Sequence, residues 1–225
     1  MKLKDIVPWG RNLQEYVDMF NLTKYDLELN ILGCGDGPAS FNVELNSRGG
    51  SVISIDPIYS FSKEQIEKRV LEVKEDVLEQ IVKNRDSFVW KNFNNPSHLM
   101  QVRLSAMEYF LKDYELGKKE GRYINAKLPN LAFEDNSFDL ALSSHFLFLY
   151  SEHLDLEFHL KSILEMLRVA KEIRIFPIVT LKNDKSPHLQ GVIEALENRG
   201  FKSKIVTTNY EFQKGGFKML QVKRL

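Results

Sequence analysis

Apolar positions recur along the chain with two periods, and the switches between them predict the elements. Leu13, Tyr16, Val17 and Phe20 fall at helical spacing, which predicts a short helix over 13–20. Residues 27–32 alternate as Leu-Glu-Leu-Asn-Ile-Leu, the pattern of a strand. That strand runs straight into the glycine turn Gly33-Cys34-Gly35-Asp36-Gly37. A helix is expected over 39–46, stopped by Gly49-Gly50, and a strand over 51–55 ending in Asp56-Pro57. This is one β-turn-α-β unit, whose parallel strands need a right-handed crossover.

The middle of the chain departs from that rhythm. Ile66, Val70, Val73, Val77 and Ile81 repeat at helical spacing among charged residues, predicting a long helix from Ser62 to about Arg85. Ser62 and Gln65 have the spacing of a capping box. Asn92–Pro96 breaks the pattern, and Leu99, Val102, Ala106, Met107 and Phe110 predict a second helix from Ser97 to about Tyr114, closed by Gly117–Gly121. A crossover needs one helix, so two imply an insertion. Alternation then resumes, with strands over 122–126, 138–143 and 172–176 and helices over 156–169 and 188–198, the last closed by Gly200. Residues 202–207 and 217–222 read as an antiparallel pair.

Composition narrows the class. With 43% hydrophobic residues in 225, the chain has enough apolar material for one sizeable core. Its net charge is zero, which gives no global pull towards nucleic acid or an anionic membrane. No apolar stretch approaches the roughly 20 residues of a membrane span. Met1–Pro8 lacks the apolar run of a signal peptide. Cys34 is the single cysteine, so no intramolecular disulfide forms. A cytoplasmic protein with a small-molecule partner, and without a nucleic-acid or membrane partner, is expected.

The turn at Gly33, Gly35 and Gly37 presents backbone N–H groups and a helix start to a ligand. Dinucleotide enzymes place a small residue where this chain has Pro38, so a nicotinamide dehydrogenase fits poorly. Asp56, about twenty residues past the turn, is placed to accept hydrogen bonds from ribose hydroxyls, and Pro57 and Ile58 supply an apolar floor for a base. Together these residues resemble the class I S-adenosylmethionine (SAM)-dependent methyltransferases. The first motif is Ile31-Leu32-Gly33-Cys34-Gly35-Asp36-Gly37-Pro38 and the second Ser54-Ile55-Asp56-Pro57. Leu131 to Leu140 resembles the family's run into the fourth strand, and Glu165-Met166-Leu167-Arg168-Val169 its helix before the fifth. The likeness covers about residues 25 to 180. It is narrowest towards bacterial SAM-dependent methyltransferases whose substrates are unassigned.

The resemblance implies an α/β, Rossmann-like, seven-stranded and mostly parallel sheet with helices on both faces and a terminal antiparallel hairpin. A helical cap of about 60–118 is inserted between strands 2 and 3 of a single domain over 1–225, after an N-terminal helical segment, 1–25. It implies SAM as cofactor, held by Tyr16, Gly33, Cys34, Gly35, Gly37, Asp56, Pro57, Ile58, Asn125, Ala126, Ser143 and Ser144. Asn125 stands where the family has an acidic residue, and the Gly-Gly turn usual after Val169 is absent.

His145 follows the fourth strand at the ligand-binding edge, where a neutral imidazole could serve as general base. The plainer alternative is a histidine bonded to backbone. Cys34 at a helix start could be reactive, but a small side chain packed beneath a cofactor explains it better. His153 and His159 lack metal-ligand spacing, so no metal is expected. The reading that results is a SAM-dependent methyltransferase of small molecules. Its alternative is a non-catalytic SAM-binding or scaffold protein.

Overall fold

The computed structural model describes residues 9–224; the reading of Met1–Pro8 lies outside the described residues. Seven strands form one sheet: β1 (Asn30–Cys34), β2 (Ser51–Ile55), β3 (Tyr123–Ile124), β4 (Phe138–Ser144), β5 (Ala170–Phe176), β6 (Lys202–Thr207) and β7 (Lys218–Lys223). Their order is β3-β2-β1-β4-β5-β7-β6, with β7 antiparallel to both neighbours and the other pairs parallel. This is the expected Rossmann-like sheet with its terminal hairpin. The order reverses between β1 and β4, so their carboxyl ends open a crevice at the topological switch point.

Helices cover both faces. On one lie α1 (Leu13–Phe20) and α2 (Phe41–Asn46), which bury Tyr16, Phe20, Phe41 and Leu45 against Ile31, Val52, Leu140 and Leu142. On the other, α5 (Leu156–Val169) and α6 (Leu189–Glu197) bury Ile163, Leu167, Val192 and Leu196 against Leu32, Ala141 and Ile173. Strand alternation assigns Leu140 and Leu142 to one face and Ala141 to the other.

The insertion consists of α3 (Lys63–Lys83) and α4 (Pro96–Lys119). Ser62 and Gln65 form both bonds of the capping box. The inner half of α3 packs Ile66 and Val70 against Met107, Phe110 and Tyr114 of α4 and against Tyr59 and Tyr123. Its outer half packs Val73, Val77 and Ile81 with Phe88, Phe93 and Leu99. The segment between the helices is tied to the β6–β7 connection by Val89 N–H donating to the Phe212 carbonyl at 2.7 Å.

Several boundaries differ from expectation, among them β3, which shrinks from 122–126 to Tyr123–Ile124, and for two others the reason is identifiable. The first strand starts at Asn30, because Asp26–Glu28 winds into a short 3₁₀ turn. The Asp26 carboxylate holds that turn, accepting from Thr23 and from the buried Arg174 guanidinium of β5. Helix α4 continues past Tyr114 to Lys119. Gly117 there serves packing: a Cβ on it would sit 2.3 Å from the Tyr123 ring.

Candidate functional site

The β1–α2 turn is assembled around a buried carboxylate. Gly35 and Gly37 both take left-handed φ, +71° and +56°, and Gly35 N–H donates to the Ile55 carbonyl at 2.8 Å. Asp36 folds back over Gly33, where a Cβ would fall 1.8 Å from its carboxylate. The Tyr16 hydroxyl donates to Asp36 Oδ1 at 2.8 Å, and Ser54 Oγ to Oδ2 at 2.6 Å. Burial raises the Asp36 carboxyl to about 6, with the two hydroxyl donors pulling the other way.

Asp56 caps the 3₁₀ turn Pro57–Ser60 that follows β2. Its Oδ1 accepts from Ile58 N–H at 2.8 Å and its Oδ2 from Gly37 N–H at 2.9 Å. Burial pushes its carboxyl above the ordinary aspartate value, against these two bonds. Each oxygen keeps acceptor capacity for a further donor. The acid thus joins the first turn to the second and still faces the crevice.

Across the crevice stands His145, at φ +52° directly after β4. Its backbone N–H donates to the Phe176 carbonyl at 2.6 Å, and its Nδ1 lies 2.9 Å from Ser144 Oγ. Burial drives the imidazole well below its ordinary pKa, and the Arg11 and Arg103 guanidiniums push it further down. His145 is therefore neutral at physiological pH. Behind it Arg103 of α4 meets Glu15 of α1 at 2.5 Å, and Tyr210 OH bonds both, at 3.2 Å from Arg103 Nη2 and 3.0 Å from Glu15 Oε1.

These two sides enclose a cavity of about 470 Å³, within the usual range for a small-molecule site. Tyr16, Gly35, Gly37, Asp56, Pro57, Ile58, Ala126, Ser144 and His145 line it, as do Phe61, just before the insertion, and Arg69 of α3. Four of the anticipated residues do not. Cys34 points with Leu32 into the α5 side of the core, fully buried, and burial pushes its thiol pKa well up, which removes it from nucleophilic work. Ser143 follows the same alternation and is fully buried, whereas Ser144 turns to the α1 face, where its Oγ meets Met19 Sδ. Asn125 is exposed outside the cavity, past the end of the two-residue β3. Gly33 makes room for Asp36 and does not line the cavity.

Asp36 and Arg11 line the cavity without having been singled out as site residues. Asp36 sits inside the quoted motif, and the bare Gly33 three residues before it is the signal of its fold-back. Arg11 has no local signature, since its surroundings come from α4 and the β6–β7 connection.

The fold and cavity define a doubly wound α/β protein with a ligand site at the carboxyl edge of its sheet. The chain belongs to the family of uncharacterized protein MJ0045 of Methanocaldococcus jannaschii, with which it is 38% identical over 227 residues, spanning all of this chain and 99% of the relative. That relative is archaeal, so it lends no support to the narrower likeness to bacterial proteins. No family model matches the chain. Among solved structures it is similar to magnesium protoporphyrin IX methyltransferase of Synechocystis PCC 6803 with bound SAM. That similarity has 16% identity and a TM-score of 0.46, covering 90% of this chain and 73% of that one. It is also similar to a SAM-dependent methyltransferase of Methanosarcina mazei, with 13% identity and a TM-score of 0.47, covering 88% and 93%.

Proposed function

We propose that this protein is a SAM-dependent methyltransferase acting on a small molecule. The observation that carries the reading is one cavity faced by Asp56 and the glycine turn on one side and by a neutral histidine on the other. The residues fit the cofactor. A Cβ at Gly37 would meet nothing within 4 Å, so the turn is open on the cavity side, and the Asp56 carboxylate keeps acceptor capacity for paired hydroxyls. Pro57, Ile58 and Phe61 give the cavity an apolar floor suited to a flat base.

When bound, SAM supplies an activated methyl group on a sulfonium. The task left to the chain is mainly positioning and exclusion of water. Asp56 holds the nucleoside end, and the Gly35–Gly37 backbone lies beside it. His145, uncharged, lines the cavity where an O–H or N–H acceptor would give up its proton as the new bond to carbon forms; its lowered basicity makes it a weak base, so positioning carries most of the rate. The cavity, walled partly by the insertion, has the volume of a small-molecule site.

Titration calorimetry with SAM and S-adenosylhomocysteine tests this reading. Both should bind, and Asp56→Asn should weaken binding about 10- to 100-fold, the range for losing a charged hydrogen-bonding partner. Absence of binding to both ligands would refute the proposal. Binding without transfer to any component of a metabolite extract would favour a non-catalytic SAM-binding protein.

A further inference from the structure

Arg11 presents an unbalanced charge. Its side chain borders the main cavity and also an adjoining chamber of about 100 Å³ that shares His145. Its Nη1 donates to the Trp9 carbonyl at 3.1 Å, while its Nε is buried with no acceptor among the described residues. The acid nearest in the network, Glu15, is already engaged by Arg103, by Tyr210 and by Asn12 N–H. Among the described residues, two guanidiniums therefore share the Glu15 carboxylate, and His145 adds no charge of its own. Burial and Arg103 lower the Arg11 pKa, and Glu15 offsets only part of this. Drawing a guanidinium partly out of water without a full set of acceptors is unfavourable, and a bound anion relieves it.

The chamber's other walls are mostly apolar, with the polar Tyr150 and Gln213 among them. Val77, Ile81 and Phe88 come from the insertion, Leu149 and Leu181 from loops at the edge of the sheet, and Phe212 from the β6–β7 connection. An engineered cavity of about 150 Å³ holds a benzene ring. A chamber of about 100 Å³ is thus matched to a short branched chain.

We propose that Arg11 anchors the acceptor by a single negative charge, and that the acceptor is a small carboxylate whose short apolar tail occupies this chamber. The assignment rests on the reading of the main cavity as the SAM site, which would set the acceptor between cofactor and chamber, beside His145. A carboxylate is favoured over a phosphate because one surplus positive charge is matched by one negative charge. A guanidinium also recognises a carboxylate by its planar fork of donors.

Isovalerate, its uncharged isostere isovaleramide and inorganic phosphate are the probes, with binding followed by ligand-detected NMR on the full chain, with and without S-adenosylhomocysteine. Isovalerate should bind at least tenfold more tightly than isovaleramide and more tightly than phosphate. Arg11→Met should equalise the acid and the amide, Arg11→Lys should keep part of the preference, and Phe212→Ala should weaken both. Equal binding of acid and amide to the wild type overturns the proposal, as does binding of neither, a preference for phosphate, or a preference retained in R11M. The wild-type comparison needs no variant to fold. Calorimetry with SAM on the same samples separates this result from the function reading, because the acid–amide preference is measured whether or not SAM binds.

Discussion

The two sides of the cavity bury titratable groups in opposite electrostatic company. On the turn side, Asp36 receives hydroxyl donors from Tyr16 and Ser54, and these offset part of the cost of burying its charge. On the far side, the half-buried His145 lies near two guanidiniums, which add to the cost of protonating it. Desolvation acts on both, but the neighbours oppose it in one case and reinforce it in the other. At neutral pH the outcome is an ionised Asp36 facing an uncharged imidazole. The turn side thus keeps a charged acceptor at the cavity, and the far side an uncharged imidazole that resists protonation.

The strongest way to break this contrast is to remove Glu15, an acid that offsets Arg103 and Arg11. Glu15→Gln leaves buried guanidiniums without a carboxylate and should destabilise the protein by about 3–5 kcal/mol in denaturant unfolding. A loss below about 1 kcal/mol would mean that the far side is not the closed charge network described. Asp36→Asn tests the turn side. The folded carboxyl titrates near 6 and the unfolded one near ~3.9, so between these values the native state binds more protons and stability falls as pH rises. From pH 4 to pH 7 the unfolding free energy of D36N should therefore gain about 2–3 kcal/mol relative to wild type. A flat difference would place Asp36 in water.

His145→Asn sharpens the comparison with a smaller effect of opposite sign. Asparagine tolerates the left-handed backbone at this position. The native imidazole resists protonation, so wild-type stability is retained above about pH 6.5 and lost as pH falls below it. H145N should lose less stability on acidification over that window. If both proteins respond alike, the imidazole is not held neutral by its surroundings.

These two sides were unequally legible in the sequence. The turn side is contiguous: Gly33 to Gly37 and Asp56 belong to one β-turn-α-β unit, so spacing alone brings Gly35, Gly37, Asp56, Pro57 and Ile58 to one edge. Within it, strand alternation was harder to use, and Cys34 and Ser143 turn into the core although their neighbours reach the cavity. The far side draws on α1, α4 and the β6–β7 connection, whose residues are 88 and 195 positions from Glu15. Nothing local marks Arg103 as a partner of Glu15, since its position on α4 reads as part of an amphipathic surface until Tyr210 and α1 close over it. Periodicity located Leu13–Phe20, Ser51–Ile55, Leu156–Val169 and Lys202–Thr207 without error. It missed boundaries where tertiary contacts override it, at Asp26 and at Gly117.

The meeting of Glu15, Arg103 and Tyr210 also bears on how such a chain could diversify. An ancestor lacking the two inserted helices would have lacked Arg103, and any descendant that discards them strands Glu15 and Tyr210 without it. The insertion is thus riveted to the rest of the molecule and cannot be exchanged as a module. Room for innovation lies instead in the apolar faces of Val77, Ile81, Phe88 and Phe212, where single substitutions change volume and leave the rivet intact. On the proposed reading, new acceptors would then be reached by resizing one small chamber, one side chain at a time.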